Sequence, residues 1–130
     1  MLALFVYYYF DVVFLTKGST MTVNSYTFPA KGIHFAIHKD GKEVARAKLY
    51  LVENDLHEKP YGLLEDVYVD PKFRKHGYGA EIVKAVIDRA KQEHCYKLSA
   101  TSRKARKKVH SLYRKLGFIM HGYEFRMDIT

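Results

Sequence analysis

Residues 74–79, Arg74-Lys75-His76-Gly77-Tyr78-Gly79, stand between two stretches of opposite character. Upstream, residues 63–69 (LLEDVYV) form the apolar run of a buried strand. Downstream, residues 80–90 place Ile82, Val83, Val86 and Ile87 on one face of a helix. A glycine-relaxed loop between a strand end and a helix start leaves several backbone N–H groups without partners. They point outward at the positive end of the helix dipole, which makes the loop a phosphate cradle. Arg74 adds a fixed positive charge at its mouth. Spacing then separates the phosphate motifs. A Walker loop needs Gly-x4-Gly-Lys-Ser/Thr, which the chain lacks, and the dinucleotide fingerprint needs glycine where Ile82 stands. What remains is Arg-x-x-Gly-x-Gly between a strand and a helix.

Other pieces follow in order. Cys95-Tyr96-Lys97-Leu98-Ser99-Ala100 reads as the next parallel strand, reached through the helix as a βαβ crossover. Residues 112–118 then give Tyr-x-x-x-Gly-Phe at the end of a second helix, with Gly117 closing it and Arg114 and Lys115 in its last turn. This ordered set, with Glu65-Asp66-Val67-Tyr68-Val69 and Pro71 ahead of the loop, resembles the acyl-CoA core of the GNAT superfamily of N-acyltransferases over about residues 33–129. Within that superfamily it is most similar to glucosamine-6-phosphate N-acetyltransferases and their small relatives.

The resemblance implies an α/β fold: a compact GNAT-like mixed sheet around a central βαβ acyl-CoA unit. The family usually carries two helices between its first strands, and residues 22–32 are too few to hold them. The N-terminal helices are therefore expected to be reduced or missing. The acceptor pocket is then either open or completed by another subunit, which makes a homodimer an expected partner arrangement.

By the same resemblance the chain is an N-acetyltransferase that moves an acetyl group from acetyl-CoA, as co-substrate, to a primary amine by direct attack in a ternary complex. Glu65 takes the position of the catalytic carboxylate, and a structural ion pair is its alternative role. Strand alternation puts Asp66 on the face opposite Glu65. Tyr113 matches the tyrosine that donates to the CoA sulfur, and packing beside Phe118 is its alternative role. The backbone of Val67, Tyr68 and Val69 aligns the pantetheine, and Arg74, Lys75, His76, Gly77, Tyr78 and Gly79 hold the pyrophosphate. Arg106 occupies the position of an asparagine that contacts CoA in many members. Thr101-Ser102-Arg103 stand where the amino-sugar enzymes carry acidic residues, which leaves glucosamine 6-phosphate one acceptor among several. The competing class is a non-catalytic module of the same fold that senses acyl-CoA or docks on RNA.

Composition bounds these readings. A chain of 130 residues holds one core. Its net charge of +8 is concentrated in Arg103, Lys104, Arg106, Lys107, Lys108, Arg114 and Lys115. That run is a solvated helix face, an attraction for CoA phosphates or anionic substrate, or a nucleic-acid surface. No aromatics interleave with it, so the nucleic-acid reading is the weakest. The single cysteine, Cys95, opens an apolar stretch and reads as a buried, unreactive thiol in a reducing, cytoplasmic setting.

Residues 1–20 form an apolar, aromatic-rich extension ahead of a single domain over residues 21–130. The apolar run is shorter than the roughly 20 residues of a membrane helix, and it lacks the basic start and cleavage site of a signal peptide. Three readings stay open: translation from upstream of a true start at Met21, an added edge strand, or a weak anchor. A spurious or accessory segment is the expectation, with no membrane partner. Along the remainder, residues 33–38 alternate as a strand with His34 and His38 on the solvent side, too far apart for a metal pair, so no metal is expected. Asp40-Gly41 marks a hairpin turn, residues 44–52 and 61–69 are strands, residues 107–116 a helix, and residues 118–120 and 123–129 a terminal hairpin.

Overall fold

The structure is a computed structural model that describes residues 10–13 and 21–130; readings placed on residues 1–9 and 14–20 lie outside the described residues. Two compact units divide the chain, Met1–Ala30 and Lys31–Thr130. In the first, β1 (Phe10–Val13) pairs antiparallel with β2 (Val23–Tyr26), Phe10 opposite Tyr26 and Val13 opposite Val23.

The second unit is built on β3 (Lys31–Lys39) and β4 (Lys42–Val52), joined by Asp40 and Gly41 with φ of 50° and 76°. Two positive φ values in a two-residue loop give the twist that an antiparallel hairpin needs. Next comes β5 (Tyr61–Val69), antiparallel to β4, and after α1 (Tyr78–Gln92) comes β6 (Leu98–Ala100), parallel to β5. The sheet order is β3-β4-β5-β6, with α1 as the crossover. The mixed α/β sheet expected from the sequence is the one observed.

Alternation along β4 buries Ala45, Ala47, Leu49 and Leu51, and Val44, the extra residue at a register shift opposite Ile37 and His38, is buried as well. Ala47, Leu49 and Leu64 pack with Ile82, Val83, Val86 and Ala90 of α1. Each large side chain so buried contributes about 1.5–3 kcal/mol. The helix is poled favourably, with Glu81 in its first turn and Arg89 and Lys91 in its last.

Two expectations are corrected here. Cys95 does not begin a strand: its N–H caps Ala90 O at 3.0 Å, after His94 has turned left-handed with φ 57°. The thiol is half-buried, and burial followed by the Glu93 charge pushes its pKa up. The chain then joins the sheet gradually, Tyr96 N–H to Pro60 O at 3.0 Å and Gly62 N–H to Lys97 O at 2.9 Å. Gly62 permits this approach, since a Cβ there would lie 2.9 Å from Leu98 Cδ1 and 3.0 Å from Leu49 Cδ1. The terminal hairpin does not form either. Past α2 (Lys107–Lys115) no regular structure is present, and Tyr123, Phe125, Met127 and Ile129 are exposed. Alternation specifies which face a strand would bury, and it carries no information about a pairing partner.

Candidate functional site

Two irregularities in β5 make a site of an otherwise ordinary strand. Toward β4, Tyr68 pairs with Arg46 and Glu65 with Lys48, so Ala47 faces both Asp66 and Val67. This is a bulge, with Asp66 at φ 51°, a conformation that aspartate tolerates better than most residues. The extra residue changes which side chains face α1, from Gly62 and Leu64 before it to Val67 and Val69 after it. Asp66 is therefore not opposite Glu65, as simple alternation predicts; both share the face of Arg46 and Lys48.

A charge network fixes the bulge. Arg46 donates to Asp66 from Nε at 2.8 Å and Nη2 at 3.2 Å, and Lys48 Nζ lies 3.8 Å from the same carboxylate. The Arg46 bond, more than the neighbouring charges, holds the Asp66 carboxyl below the usual carboxylate range. The guanidinium lies 4.5 Å from the centre of the Tyr68 ring, and His34 Nε2 meets Glu43 Oε2 at 2.9 Å nearby. The sequence singled out neither Arg46 nor Lys48, because their role exists only in the cross-strand register.

Toward β6, pairing runs only from Gly62–Leu98 to Leu64–Ala100. From Glu65 onward that side of β5 has no strand partner, because β6 ends at Ala100. Val67 and Tyr68 are therefore unpaired by any strand on this side. Val69 O already accepts from Arg74 Nε at 3.1 Å, which ties the loop to the strand end.

The loop begins with a turn over Pro71–Phe73, in which Asp70 Oδ1 accepts from Lys72 N–H at 2.9 Å. Lys75 and Gly77 both take positive φ, 65° and 81°. Gly77 caps α1 without any side-chain bond, and the first helical bond is Glu81 N–H to Gly77 O at 3.0 Å. The amides of Tyr78, Gly79 and Ala80 thus have no intrahelical partner. At Gly79 a Cβ would meet Val69 Cγ2 at 3.7 Å and Leu112 Cδ2 at 3.8 Å, ordinary contact distances. Packing does not demand this glycine. Its effect is to leave bare backbone at the positive end of α1, a place that favours negative charge. Lys75 and His76 are exposed beside it.

Helix α2 lies beside the loop, with Leu112 next to Gly79. It ends in a complete glycine cap: Gly117, at φ 97°, donates to Arg114 O at 3.1 Å, and Phe118 N–H to Tyr113 O at 3.0 Å. Its beginning is unfavourable, with Arg106 as a cap that makes no side-chain bond and no acidic residue in the first turn. Tyr113 packs against the core, its ring 5.2 Å from that of Phe118. Burial first, and the Glu65 charge second, push the Tyr113 phenol up, while Arg106 opposes them. Glu65 and Arg106 thus both act on the Tyr113 phenol, with opposite sign. Ser102, just past β6, has a buried Oγ without a hydrogen-bond partner. Arg103, Lys104, Lys107 and Lys108 are exposed. Among the described residues no group of three or more His, Cys, Asp and Glu side chains could hold a metal ion, and no helix is long and apolar enough to cross a membrane.

A sequence model of the acetyltransferase (GNAT) family matches residues 7–118. The chain belongs to this GNAT family. One curated relative, a glucosamine 6-phosphate N-acetyltransferase of Trypanosoma brucei brucei, is 34% identical over 68 residues, covering 52% of this chain and 44% of that protein. The chain spans less than half the length of that relative. An acetyltransferase-like protein of Agrobacterium tumefaciens str. C58 superposes with a TM-score of 0.70 at 30% identity, over 75% of this chain and 68% of the other. A Trypanosoma brucei acetyltransferase gives 0.67 at 28% identity, over 77% and 69%. The GNAT family match extends over the bulged strand, the glycine loop and α2.

Proposed function

We propose that this GNAT chain transfers an acetyl group from acetyl-CoA to a primary amine by direct attack in a ternary complex. The observation that carries the reading is a single strand: β5 is bulged toward β4 and unpaired toward β6 from Glu65 onward, and the bare N-terminus of α1 follows it in the chain. When bound, acetyl-CoA supplies an activated thioester. The amides of residues 78–80, Arg74, Lys75 and His76 would hold its pyrophosphate, with Arg106 reaching another anionic part. The open edge of β5 at Val67 and Tyr68 would align the pantetheine by main-chain bonds.

Glu65 would take the proton that the amine loses as its nitrogen bonds to the carbonyl carbon. An alkylamine with a pKa near about 10.4 is mostly protonated at neutral pH, so a nearby carboxylate also favours its approach. Tyr113 would donate a hydrogen bond to the sulfur as the C–S bond breaks. Its raised phenol is a weaker acid than a thiol of pKa near about 8.5. Stabilising the developing thiolate therefore suits it better than surrendering its proton outright.

The name of the trypanosomal relative puts glucosamine 6-phosphate at the head of the amine panel to be tried, and the single half-buried cysteine suits a reducing cytoplasm. The test has two parts. Acetyl-CoA at 100 times its Kd adds about 2.7 kcal/mol of stability, so the melting temperature should rise; no rise at millimolar acetyl-CoA refutes the donor. Release of free thiol with an amine present establishes turnover. Binding without release across sugar, peptide and polyamine acceptors would move the chain to the acyl-CoA-sensing class instead.

A further inference from the structure

Among the described residues, Ser102 Oγ is the single buried side-chain oxygen or nitrogen without a hydrogen-bond partner. A hydroxyl donates once and accepts twice, and folding has taken this one away from water. Held so, it carries the cost of desolvation with no bond to offset it. Native structures leave few such groups, and each calls for a physical reason.

The chain on either side of Ser102 is fastened. Directly after it, the Arg103 carbonyl accepts from the Arg106 N–H at 3.0 Å and meets His110 Nε2 of α2 at 3.0 Å. Before it, Leu98 and Ala100 of β6 pack on the core that includes Ile82, Val83, Val86 and Ala90 of α1. Burial keeps alternating past the strand end: Thr101 is exposed, Ser102 half-buried and Arg103 exposed. Ser102 therefore follows Leu98 and Ala100 on the α1 face of the sheet. The last rung between β5 and β6 is Leu64–Ala100, two residues earlier. The hydroxyl thus lies beyond that rung, on the side where β5 has no strand partner.

We infer that Ser102 is a donor-binding residue, its hydroxyl pairing with an amide of the pantetheine arm of acetyl-CoA. This role rests on acetyl-CoA being the donor, as proposed above. The arm is the part of the donor assigned to the uncovered edge of β5, and its amides are neutral groups that one hydroxyl can satisfy. A phosphate drawn to a buried hydroxyl needs cations around it, and the apolar Leu98 and Ala100 supply none. The exposed Lys75 and His76 at the start of α1 suit the phosphates better. The acceptor belongs elsewhere too. Glu65, its proposed base, pairs with Lys48 and shares the face of Arg46 and Lys48, the other side of the sheet.

Ser102→Ala in the full chain tests this through two effects of opposite sign. The free variant should melt at or above the wild-type temperature, because alanine removes a buried group that has no partner. Its dissociation constant for acetyl-CoA, by titration calorimetry, should rise about three- to tenfold, the loss of one hydrogen bond. Adenosine 3′,5′-bisphosphate, the donor's nucleotide without its arm, should shift the melting of wild type and variant alike. A free variant that melts lower or fails to fold would mean that the hydroxyl serves the fold, and would overturn the inference. A smaller shift of the variant with the bisphosphate would move the contact to the nucleotide and overturn it equally. Where wild type and variant bind acetyl-CoA with the same affinity, the role of Ser102 fails and the donor stands; where the wild type does not bind it, the donor reading fails and Ser102 with it. None of these readings depends on turnover.

Discussion

The two halves of β5 differ in composition, Tyr-Gly-Leu-Leu against Glu-Asp-Val-Tyr-Val, and have opposite roles. Tyr61–Leu64 is held by β4 on one side and β6 on the other, with Gly62 wedged between Leu98 and Leu49. Glu65–Val69 is bulged on the β4 side and unpaired on the β6 side. The first half cannot move without opening the core. The second exposes main-chain groups and a carboxylate without surrendering the strand, because Val67 and Val69 still pack beneath it. A site made in this way needs no special loop to present it. It needs one extra residue and a neighbour that stops short.

That contrast can be broken from either end. Glu65→Gln keeps shape and removes the proposed base, so it should reduce turnover by about 10²–10⁴-fold while leaving the acetyl-CoA thermal shift in place; steady-state thiol release and melting curves on the same samples would show it. If both fall together, the carboxylate is structural. Gly62→Ala attacks the tied half, and overpacking there should cost about 1–3 kcal/mol in a denaturant titration. An unaffected midpoint would mean that β6 does not hold β5 as described.

Tyr113→Phe should lower turnover about tenfold, the loss of one hydrogen bond to the leaving group. It also has an alkaline signature. The folded phenol is raised above its unfolded value of about 10, so its stabilising difference is full below that pH and disappears as pH climbs through the folded value. The variant's melting curve should thus flatten on the alkaline side. Smallest is Asp66→Asn, which keeps a residue suited to φ 51° and loses the pairing with Arg46. Because the Asp66 carboxyl is lowered, its contribution is full above about pH 4, the unfolded value, and fades as pH falls through the lower folded value. Wild type and variant should converge in acid; persistence of the difference there would place the cost in the backbone.

These outcomes also mark what the residues alone could reveal. The loop was legible because its glycines and Arg74 act locally, and α2 because a helix closed by Gly117 is written in consecutive residues. The bulge was not. Glu65-Asp66-Val67 reads as plain alternation, and the slip arises from how Arg46 and Lys48 of another strand meet it. The same limit explains residues 123–129, whose alternation is plain and whose partner is not encoded nearby. It also explains Cys95, whose place in the helix exit depends on the left-handed turn at His94.

One asymmetry between the helices has a consequence for how the cleft behaves in different buffers. α1 has an acid at its positive end, whereas α2 begins with Arg106, Lys107 and Lys108 pressed against the same polarity. Its own charges oppose it there, and packing of Tyr113 and Leu116 on the core is what offsets them. Screening that repulsion at higher ionic strength firms the first turn of α2, while it loosens the Arg46–Asp66 pairing between β4 and β5. The helix start and the strand bulge therefore answer salt with opposite sign: one stiffens as the other relaxes.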